Sequence, residues 1–355
     1  MNQGLAAIYG TTRSPTEINW LTVRQPNPKI FLLPCSPTPH SPPPQMHGFL
    51  NLNKPAGLTS HDCVARLRKI LRTKKVGHGG TLDPAAMGVL PIAVGKATRL
   101  LQYLSHRKSY KATIRFGLQT ATDDLEGEVL SQSDASELTL DRIKASLSQF
   151  QGTIAQIPPS YSAIQVGGKR LYELARSGEI VEAPVRTVQI DRLEIIDWRP
   201  GEFPELDLEI DCGTGTYIRS IARDLGDVVG TGGTLASLLR TRSSEFFLQD
   251  SLTLEVLADR IESNTLQMIP PPIALRQMPI AVLPPDLTLA WSQGKRLPLE
   301  VMQIDRAAST SHFQMQDQAG HFLGIGEIMQ KSSAEAIDQT SPVLQPKLVW
   351  DLPII

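Results

Sequence analysis

The sequence has few cysteines and no long apolar run, and both absences exclude whole classes of protein. Its three cysteines, Cys35, Cys63 and Cys212, lie far apart in the chain and form no Cys-x-x-Cys pair. They therefore build neither a disulfide framework nor a paired-cysteine zinc site, and this usage fits a reducing cytoplasm. No run of about 18 apolar residues is present, so the sequence predicts no membrane-spanning helix.

The sequence also lacks the two common fingerprints for nucleotide phosphates. Residues 77–98, GHGGTLDPAAMGVLPIAVGKAT, have the glycines of a phosphate loop, but Ala97 follows Lys96 where a Walker A motif needs serine or threonine. In the same stretch, Leu82 occupies the position of the third glycine of a dinucleotide-binding motif. We therefore exclude nucleotide phosphate binding at this turn.

Charge is nearly balanced over the whole chain but not along it. The formal net charge is −1, yet residues 54–115 contain thirteen Lys and Arg residues against two acidic residues. Such a local excess is typical of a face that binds a polyanion such as RNA. An ordinary solvated face is the alternative interpretation of a charge run.

The length and the proline-rich stretches predict a chain of about two domains. Residues 1–45 are rich in Pro and Ser, which predicts an extended or disordered leader, and Met46 is then the true or an alternative start. Residues 46–280 have the size of a full domain, and the proline-rich stretch 264–286 marks its end. Residues 281–355 form a smaller unit with strand-like segments, for which we predict a small β-barrel.

Helical and strand-like segments follow Met46 without a regular βαβ rhythm. YKATIRFGL (110–118) alternates as a strand does, and TLDRIKASLSQFQG is an amphipathic helix with a glycine stop. A further helix is predicted at about 85–104, interrupted by Pro91. These segments favour an α+β fold with a central mixed or antiparallel sheet flanked by helices.

The segment HDCVARLRKILRTKK is predicted to be a helix with one apolar and one basic side. Thr59 or Ser60 provides its N-cap. Its apolar residues recur at helical spacing, so this side is expected to be buried. The remaining surface carries basic residues that can bind phosphates, among them Arg68, Lys69 and Arg72.

Asp83 is the carboxylate of the glycine-rich turn, and two interpretations of it are open. It can cap a helix that begins with Pro84, or the turn can present it for chemistry. Neither Asp83, His78 nor the cysteines have metal-ligand spacing, so we expect no metal site.

Two further segments favour a role for Asp83 in RNA chemistry. GTGTYIRSIARDLG is predicted to place Tyr217 and Arg219 on one face of a strand, where they can meet a carboxylate and a planar base. The segment near 158–185 combines a Pro-Pro turn and tyrosines with Lys169 and Arg176, a pattern that suits RNA with unstacked bases.

Five motifs in one order resemble the TruB family of tRNA pseudouridine synthases over about residues 46–250. They are GFLNLNKPAGLTS, KVGHGGTLDPAAMGVLPIAVGKATRL, YKATIRFGLQTATDDLEG, IPPSYSAIQVGGKRLYELARSG and CGTGTYIRSIARDLG. The C-terminal part more weakly resembles the PUA-like RNA-binding domains of that family. The resemblance implies a pseudouridine synthase fold, and the isomerisation of a tRNA T-loop uridine, at position 55, to pseudouridine.

The resemblance also implies roles for individual residues. Asp83 matches the catalytic aspartate, Arg219 the arginine paired with it, and Tyr110 the tyrosine that stacks on the target base. Tyr217 matches a residue of the same pocket, and His78 a histidine that meets the displaced nucleotide. Lys54 matches the lysine of a lysine-proline motif that supports the active-site loop.

The implied isomerisation detaches a base from C1′ and reattaches it through carbon, without net water, redox equivalents or an energy source. One ionised carboxylate suffices for it, so we expect no metal and no cofactor. Attack at C1′, attack at C6 and abstraction of a sugar proton all remain open for Asp83. The expected partner is tRNA, and the expected enzyme is a cytoplasmic monomer without membrane attachment or an obligate protein partner. The alternatives are a guide-RNA-dependent relative and a non-catalytic RNA-binding or tRNA-folding chaperone.

The sequence departs from the family pattern at two positions near the motifs. Gln165 stands where family members usually carry lysine, so a phosphate contact is lost or is supplied by Lys169. Ser244-Glu245 stand where a glycine is common, a change expected to alter a turn rather than the chemistry.

Overall fold

The structure is a computed structural model that describes residues 46–162, 164–177, 183–299, 311–329 and 343–350. The side chains of Arg170 and Arg176 are outside this description. The leader predicted at residues 1–45 likewise lies outside the described residues.

Strands and helices follow one another irregularly along the described chain. The strands are β1 Gly48–Lys54, β2 Val76–His78, β3 Met87–Val94, β4 Lys108–Phe116, β5 Leu118–Thr120, β6 Val129–Gln132, β7 Gly152–Gln156, β8 Gln165–Val166, β9 Lys169–Arg170, β10 Arg186–Arg199, β11 Glu205–Cys212, β12 Gly233–Ser243, β13 Phe246–Phe247, β14 Ile280–Leu283, β15 Leu297–Pro298, β16 His312–Asp317, β17 Phe322–Met329 and β18 Val343–Val349. The helices are α1 Ser60–Ile70, α2 Leu140–Leu147, α3 Leu171–Arg176, α4 Ile218–Val228, α5 Leu254–Glu262, α6 Pro271–Ala274 and α7 Pro285–Ser292. Short 3₁₀ helices cover Gly95–Tyr103, Ser148–Phe150 and Leu248–Asp250.

A mixed sheet in the order β1-β3-β12-β4-β11-β10-β7 forms the centre of the described chain. Its ladders are antiparallel except that β3 and β12 run parallel. Helices α2 and α4 pack on one part of the sheet through Ile143, Ile221 and Leu225, and α1 and α5 pack elsewhere through Leu67 and Leu257. The expected α+β class with a mixed sheet is therefore confirmed.

The helix predicted at about 85–104 is wrong in its first half. Residues Met87–Val94 form β3, whose side chains after Met87 are all buried, and only then does the chain enter the 3₁₀ helix Gly95–Tyr103. Periodicity cannot distinguish a buried strand from a buried helix in such a continuous apolar run. Strand β3 is fixed instead by its partners, since its residues 88–94 pair with β1 and it also pairs with β2 and β12.

The C-terminal strands form a separate five-stranded sheet in the order β14-β16-β17-β18-β15. Fully buried Trp291 of α7 packs in its core with Phe313 and Leu344, and the indole Nε1 donates to the carbonyl of Leu323 at 2.8 Å. Such a small sheet, closed by a helix over its apolar side, is consistent with the expected PUA-like domain.

Candidate active-site cleft

A cleft of about 1020 Å³ lies where the β2–β3 loop, β4 and the beginning of α4 come together. Its walls combine carboxylates, two histidines, four tyrosines and an arginine, namely Asp83, Asp124, Glu126, His61, His78, Tyr110, Tyr161, Tyr172, Tyr217 and Arg219. The volume is sufficient for a nucleoside, since small-molecule sites span about 300–1000 Å³. The structure thus brings Asp83, Arg219, Tyr110, Tyr217 and His78 together from distant parts of the sequence.

Asp83 and Arg219 form an ion pair in this cleft. The Asp83 Oδ2 atom lies 3.0 Å from the Arg219 Nε atom. The contact lacks the alignment of a directed hydrogen bond, because the buried Nε–H has no aligned acceptor among the described residues. The Asp83 side chain is 39% exposed and that of Arg219 only 6%. The carboxylate therefore faces the cleft while its cationic partner stays buried behind it.

Backbone carbonyls hold the guanidinium of Arg219 in place. Its two terminal nitrogens donate to the carbonyls of Thr122, at 2.9 Å, and Tyr161, at 3.1 Å. These contacts direct Nε toward Asp83. Asp124 lies on the same side, with its Oδ2 atom 3.7 Å from Arg219 Nε. The sequence motif TATDD marked this segment, but only the structure places one of its carboxylates beside the arginine.

The expectation that Tyr217 and Arg219 lie on one strand is wrong. Strand β11 ends at Cys212, the chain turns through Gly215 at φ +85°, and Tyr217 is the residue that precedes α4. Arg219 lies in the first turn of that helix. Buried Gln156 fixes this transition, because its side chain accepts from the Tyr217 amide at 2.8 Å and donates to the Tyr217 carbonyl at 3.0 Å.

Asp83 does not cap a helix, so that interpretation of the turn is excluded. The chain after it makes a single turn, in which the Ala86 amide donates to the Asp83 carbonyl, and then enters β3. Lys54 of β1 holds this loop through two hydrogen bonds, since its Nζ donates to the carbonyls of Pro55 at 2.8 Å and Pro84 at 3.1 Å. Burial lowers the pKa of Lys54, and the carboxylate of Asp83 partly offsets this effect.

The N-terminus of α1 also supports the loop. Thr59 is the N-cap and forms a capping box with Asp62, which resolves the choice between Thr59 and Ser60. Ser60 is then available for the loop, where it accepts from the Leu82 amide at 2.8 Å and its hydroxyl lies 3.2 Å from the Leu82 carbonyl. Sequence reasoning assigned Ser60 only to the cap and missed this role.

Arg240 of β12 is a second buried arginine in the site, and sequence reasoning missed it. Its guanidinium donates to the carbonyls of Val89 at 2.7 Å, Gly80 at 3.0 Å and Thr81 at 3.2 Å. Three carbonyls around one fully buried guanidinium fix the start and the end of the loop that presents Asp83. No motif in the sequence singled out this arginine.

Tyr110 and His78 are two side chains of the cleft wall that carry no charge at neutral pH. Tyr110 is buried on β4, and burial raises the pKa of its phenol, so the hydroxyl stays protonated at neutral pH. Burial, together with Arg240 and His61, lowers the pKa of His78, so its ring is neutral. The Gly80 amide donates to His78 Nδ1 at 3.4 Å, which leaves Nε2 as the ring nitrogen that carries the proton.

The basic residues predicted to bind RNA lie outside the cleft wall. Arg68 and Lys69 are exposed in the last turn of α1, where Arg68 donates to the Val76 carbonyl at 3.0 Å, and Arg72 follows in a turn. Lys169 lies in the β8–β9 hairpin, and the side chain of Arg176 is outside the described residues. Gln165 of this hairpin does line the cleft.

Two wider searches covered the described residues alone. None of their helices has the length and apolar character needed to span a bilayer. In the same part of the chain, no three His, Cys, Asp or Glu side chains are grouped as ligands for a metal ion.

Comparisons with known proteins identify related sequences over most of the chain. Residues 68–218 match the model of the TruB family pseudouridylate synthase N-terminal domain, and residues 279–334 match the pseudouridine synthase II TruB C-terminal domain. A protein of Trichormus variabilis named tRNA pseudouridine synthase B is 57% identical, covering 80% of this chain and 95% of its own length. A protein of Gloeothece citriformis with the same name is 52% identical, covering 86% of this chain and 97% of its own length.

Two solved structures share the fold at lower identity. An H/ACA RNP bound to a substrate RNA containing 2′-deoxyuridine matches with a TM-score of 0.63 and 25% identity, over 86% of this chain and 85% of that one. A Cbf5-Nop10-Gar1 complex matches with a TM-score of 0.65 and 26% identity, over 85% of this chain and 84% of that one.

Proposed function

Because the chain belongs to the TruB family of pseudouridylate synthases, we propose that it isomerises the T-loop uridine at position 55 of tRNA to pseudouridine. The chain is a tRNA pseudouridine synthase, an isomerase, as its relatives with 50–57% identity are named. The observation that carries the finer proposal is the half-exposed Asp83 carboxylate held 3.0 Å from buried Arg219 in a cleft lined by tyrosines.

The proposed reaction balances without any added reagent. The N1–C1′ glycosidic bond breaks, the base turns, and a C5–C1′ bond forms. The C5 proton leaves to solvent and N1 gains a proton, so substrate and product are isomers. One carboxylate near C1′ is the chemical group this sequence of steps requires, which is why we propose no metal and no organic cofactor.

Each residue of the cleft has a proposed role that follows from its environment. Asp83 acts as the single catalytic carboxylate, and Arg219 orients it through the ion pair. Tyr110 offers its ring to the base, which must leave the RNA stack to reach Asp83. Tyr217 lines the same pocket, and neutral His78 offers a hydrogen bond at its rim.

The rest of the molecule is proposed to bind the tRNA around that uridine. The cationic segment 54–115, with exposed Arg68, Lys69 and Arg72, attracts the phosphate backbone. The hairpin and helix near 158–185, with Lys169 and Arg176, and the C-terminal domain are proposed to contact RNA as well. We propose that a monomer acts in the cytoplasm without protein partners, unlike the solved relatives crystallised with theirs.

The test uses the purified full-length chain and an unmodified tRNA transcript labelled with tritium at C5 of uridine. We expect tritium release, and pseudouridine at one T-loop position, without any added protein. Asp83→Asn should abolish release, a loss of about 10⁴-fold or more, while tRNA affinity changes little, because an amide cannot replace the ionised carboxylate.

Asp141→Asn is the matched control, since this carboxylate is 95% exposed on α2. It should leave the rate unchanged. Full turnover by Asp83→Asn would contradict the assignment of Asp83. Tight binding without any turnover by the wild-type chain would favour a tRNA-folding chaperone, and turnover only with an added guide RNA would favour the guide-dependent alternative.

A further inference from the structure

A second, smaller pocket of about 220 Å³ lies next to the active-site cleft. It is formed at the ends of three neighbouring strands, where Lys108 and Ser109 of β4 pair with β11 on one side and β12 on the other. Its lining includes Arg107, Lys108 and Arg242. Lys108 lines both cavities, so this pocket adjoins the cleft that contains Asp83 at this side chain.

Two of the three cations in the pocket have no acidic partner. The exposed Arg107 side chain and the largely buried Lys108 side chain form no hydrogen bond or ion pair within the described residues. Burial, together with the charge of Arg240, lowers the pKa of Lys108 to about 8. A cation kept in such a place without a counter-ion is stabilised when an anion binds beside it.

The two carboxylates of the pocket do not cancel this charge. Asp211 is engaged by Arg192, which lies outside the pocket lining and whose Nε donates to it at 2.8 Å. It also accepts from the Ser109 hydroxyl and interacts with Arg242, so it offsets part of the charge of Arg242 but none of that of Arg107 and Lys108. Asp191 is exposed at the rim. The third cation, Arg242, donates through Nε to the Ser244 carbonyl at 2.8 Å and lies 3.5 Å from Glu245. Its remaining donors, with Arg107 and Lys108, leave the pocket cationic.

We propose that this pocket is a phosphate subsite that binds one backbone phosphodiester of the RNA whose uridine occupies the cleft. This inference rests on the proposed function, because it takes the RNA in the cleft as given. Arg107, Lys108 and the remaining donors of Arg242 supply the charged N–H groups that a phosphate oxygen requires, whereas the Ser109 hydroxyl already donates to Asp211. Because Lys108 lines both cavities, the subsite lies beside the cleft, so it positions the RNA strand rather than taking part in the chemistry.

The test neutralises each side of the contact separately. T-arm RNA stem-loops are synthesised with one neutral methylphosphonate linkage at each position in turn, and their affinities are measured with full-length wild type and Arg107→Gln. Arg107→Gln should weaken binding of unmodified RNA roughly three- to tenfold and reduce the salt slope of log K by about 0.7–0.9. At saturating RNA the single-turnover rate should not change.

At one linkage, the effects of the methylphosphonate and of Arg107→Gln on RNA affinity should not add. A methylphosphonate there weakens binding to wild type by the same factor but has no further effect on Arg107→Gln, because the contact is already lost. Lys108→Gln should couple to the same linkage. Lys111→Gln is the matched control, since Lys111 is exposed on β4 and lines neither cavity, and its effect should add to that of every linkage.

Effects that add at every linkage for both Arg107→Gln and Lys108→Gln would overturn the proposal. A free-anion site would replace the proposal if the effects add at every linkage and RNA-free wild type binds inorganic phosphate, while Arg107→Gln does not. Failure of the proposed function has a different signature, because wild type would then release no tritium whatever the linkage scan shows.

Discussion

Arg240→Lys tests whether one buried guanidinium positions the loop that presents Asp83. Arg240 is fully buried and donates to three carbonyls, those of Gly80, Thr81 and Val89. A lysine ammonium keeps the charge but cannot span the three acceptors, since it lacks the planar fork of the guanidinium.

The expected magnitudes follow from those contacts. Losing two of the three charge-assisted hydrogen bonds at about 1.5 kcal/mol each lowers the free energy of unfolding by about 3 kcal/mol. A domain with typical stability of about 5–15 kcal/mol still folds after this loss. Asp83 follows Thr81 by two residues, so a shift of about 1 Å in the loop should reduce the chemical rate by about 10²-fold.

Urea unfolding and single-turnover tritium release measure the two effects separately. We expect a lower unfolding free energy and a lower rate at saturating tRNA, with unchanged tRNA affinity, because Arg240 is buried and does not reach RNA. Arg115→Lys is the control, since it alters a partly exposed pair with Glu205 that contributes about 0–1 kcal/mol.

An Arg240→Lys variant that loses about 3 kcal/mol of stability but keeps the full rate would refute the positioning role. Arg240 would then hold the sheet together without setting the place of Asp83. A variant with neither effect would show that the three carbonyl contacts do not contribute as the geometry requires.

Two further perturbations test the packing and the charge around the loop. Gly88→Ala should lower the free energy of unfolding by about 4 kcal/mol, because Gly88 has φ +101° and a Cβ there would lie 2.2 Å from the Arg240 carbonyl oxygen. Gly57→Ala is the control, since Gly57 has φ +81° but faces open space, and it should lower the free energy of unfolding by only about 1–2 kcal/mol. Urea unfolding measures both values, and equal losses would contradict the steric argument. The pKa of Lys108 is lowered from 10.5 to about 8 in the folded protein, so the unfolded chain binds more protons between these values and wild type should gain stability as pH rises through them. Between about pH 7 and about pH 10, the free energy of unfolding of wild type should rise relative to that of Lys108→Met by at most about 3 kcal/mol, as measured by urea unfolding. Parallel pH profiles of the unfolding free energy for the two proteins would contradict this prediction.

The two departures from the family pattern have local structural effects. Ser244 adopts φ +57°, the left-handed region that favours glycine, and its hydroxyl donates to the Ser105 carbonyl at 2.7 Å. This geometry explains why a glycine is common at the position and how serine is accommodated. Gln165 lines the cleft, whereas Lys169 of the same hairpin is not part of the cleft wall.

Several local features could be predicted because they depend on neighbouring residues only. The capping box of α1 needs Thr59 and Asp62 alone, and β4 alternates along its own length. The order of five motifs likewise indicated the family, and with it Asp83, Arg219 and Tyr110 as candidates. None of these features requires knowledge of distant contacts.

Other features could not be predicted because distant segments decide them. The run Met87–Val94 is compatible with a helix or a strand until β1, β2 and β12 supply hydrogen-bonding partners. Arg219 lies on a helix rather than a strand because the glycines after β11 turn the chain before it. The roles of Ser60 and Gln156 depend on backbone groups far away in sequence.

The sequence by itself determined the α+β class, the family and the candidate residues for the chemistry, because residue types and their spacing are local properties. Only the tertiary structure decided that Asp83 stands beside Arg219, that Arg240 holds the loop that presents Asp83, and that Lys108 lines two cavities. The physical reason is that the buried guanidinium groups of Arg219 and Arg240 must find acceptors wherever the fold provides them. Those acceptors are backbone carbonyls, which no residue type in the sequence identifies.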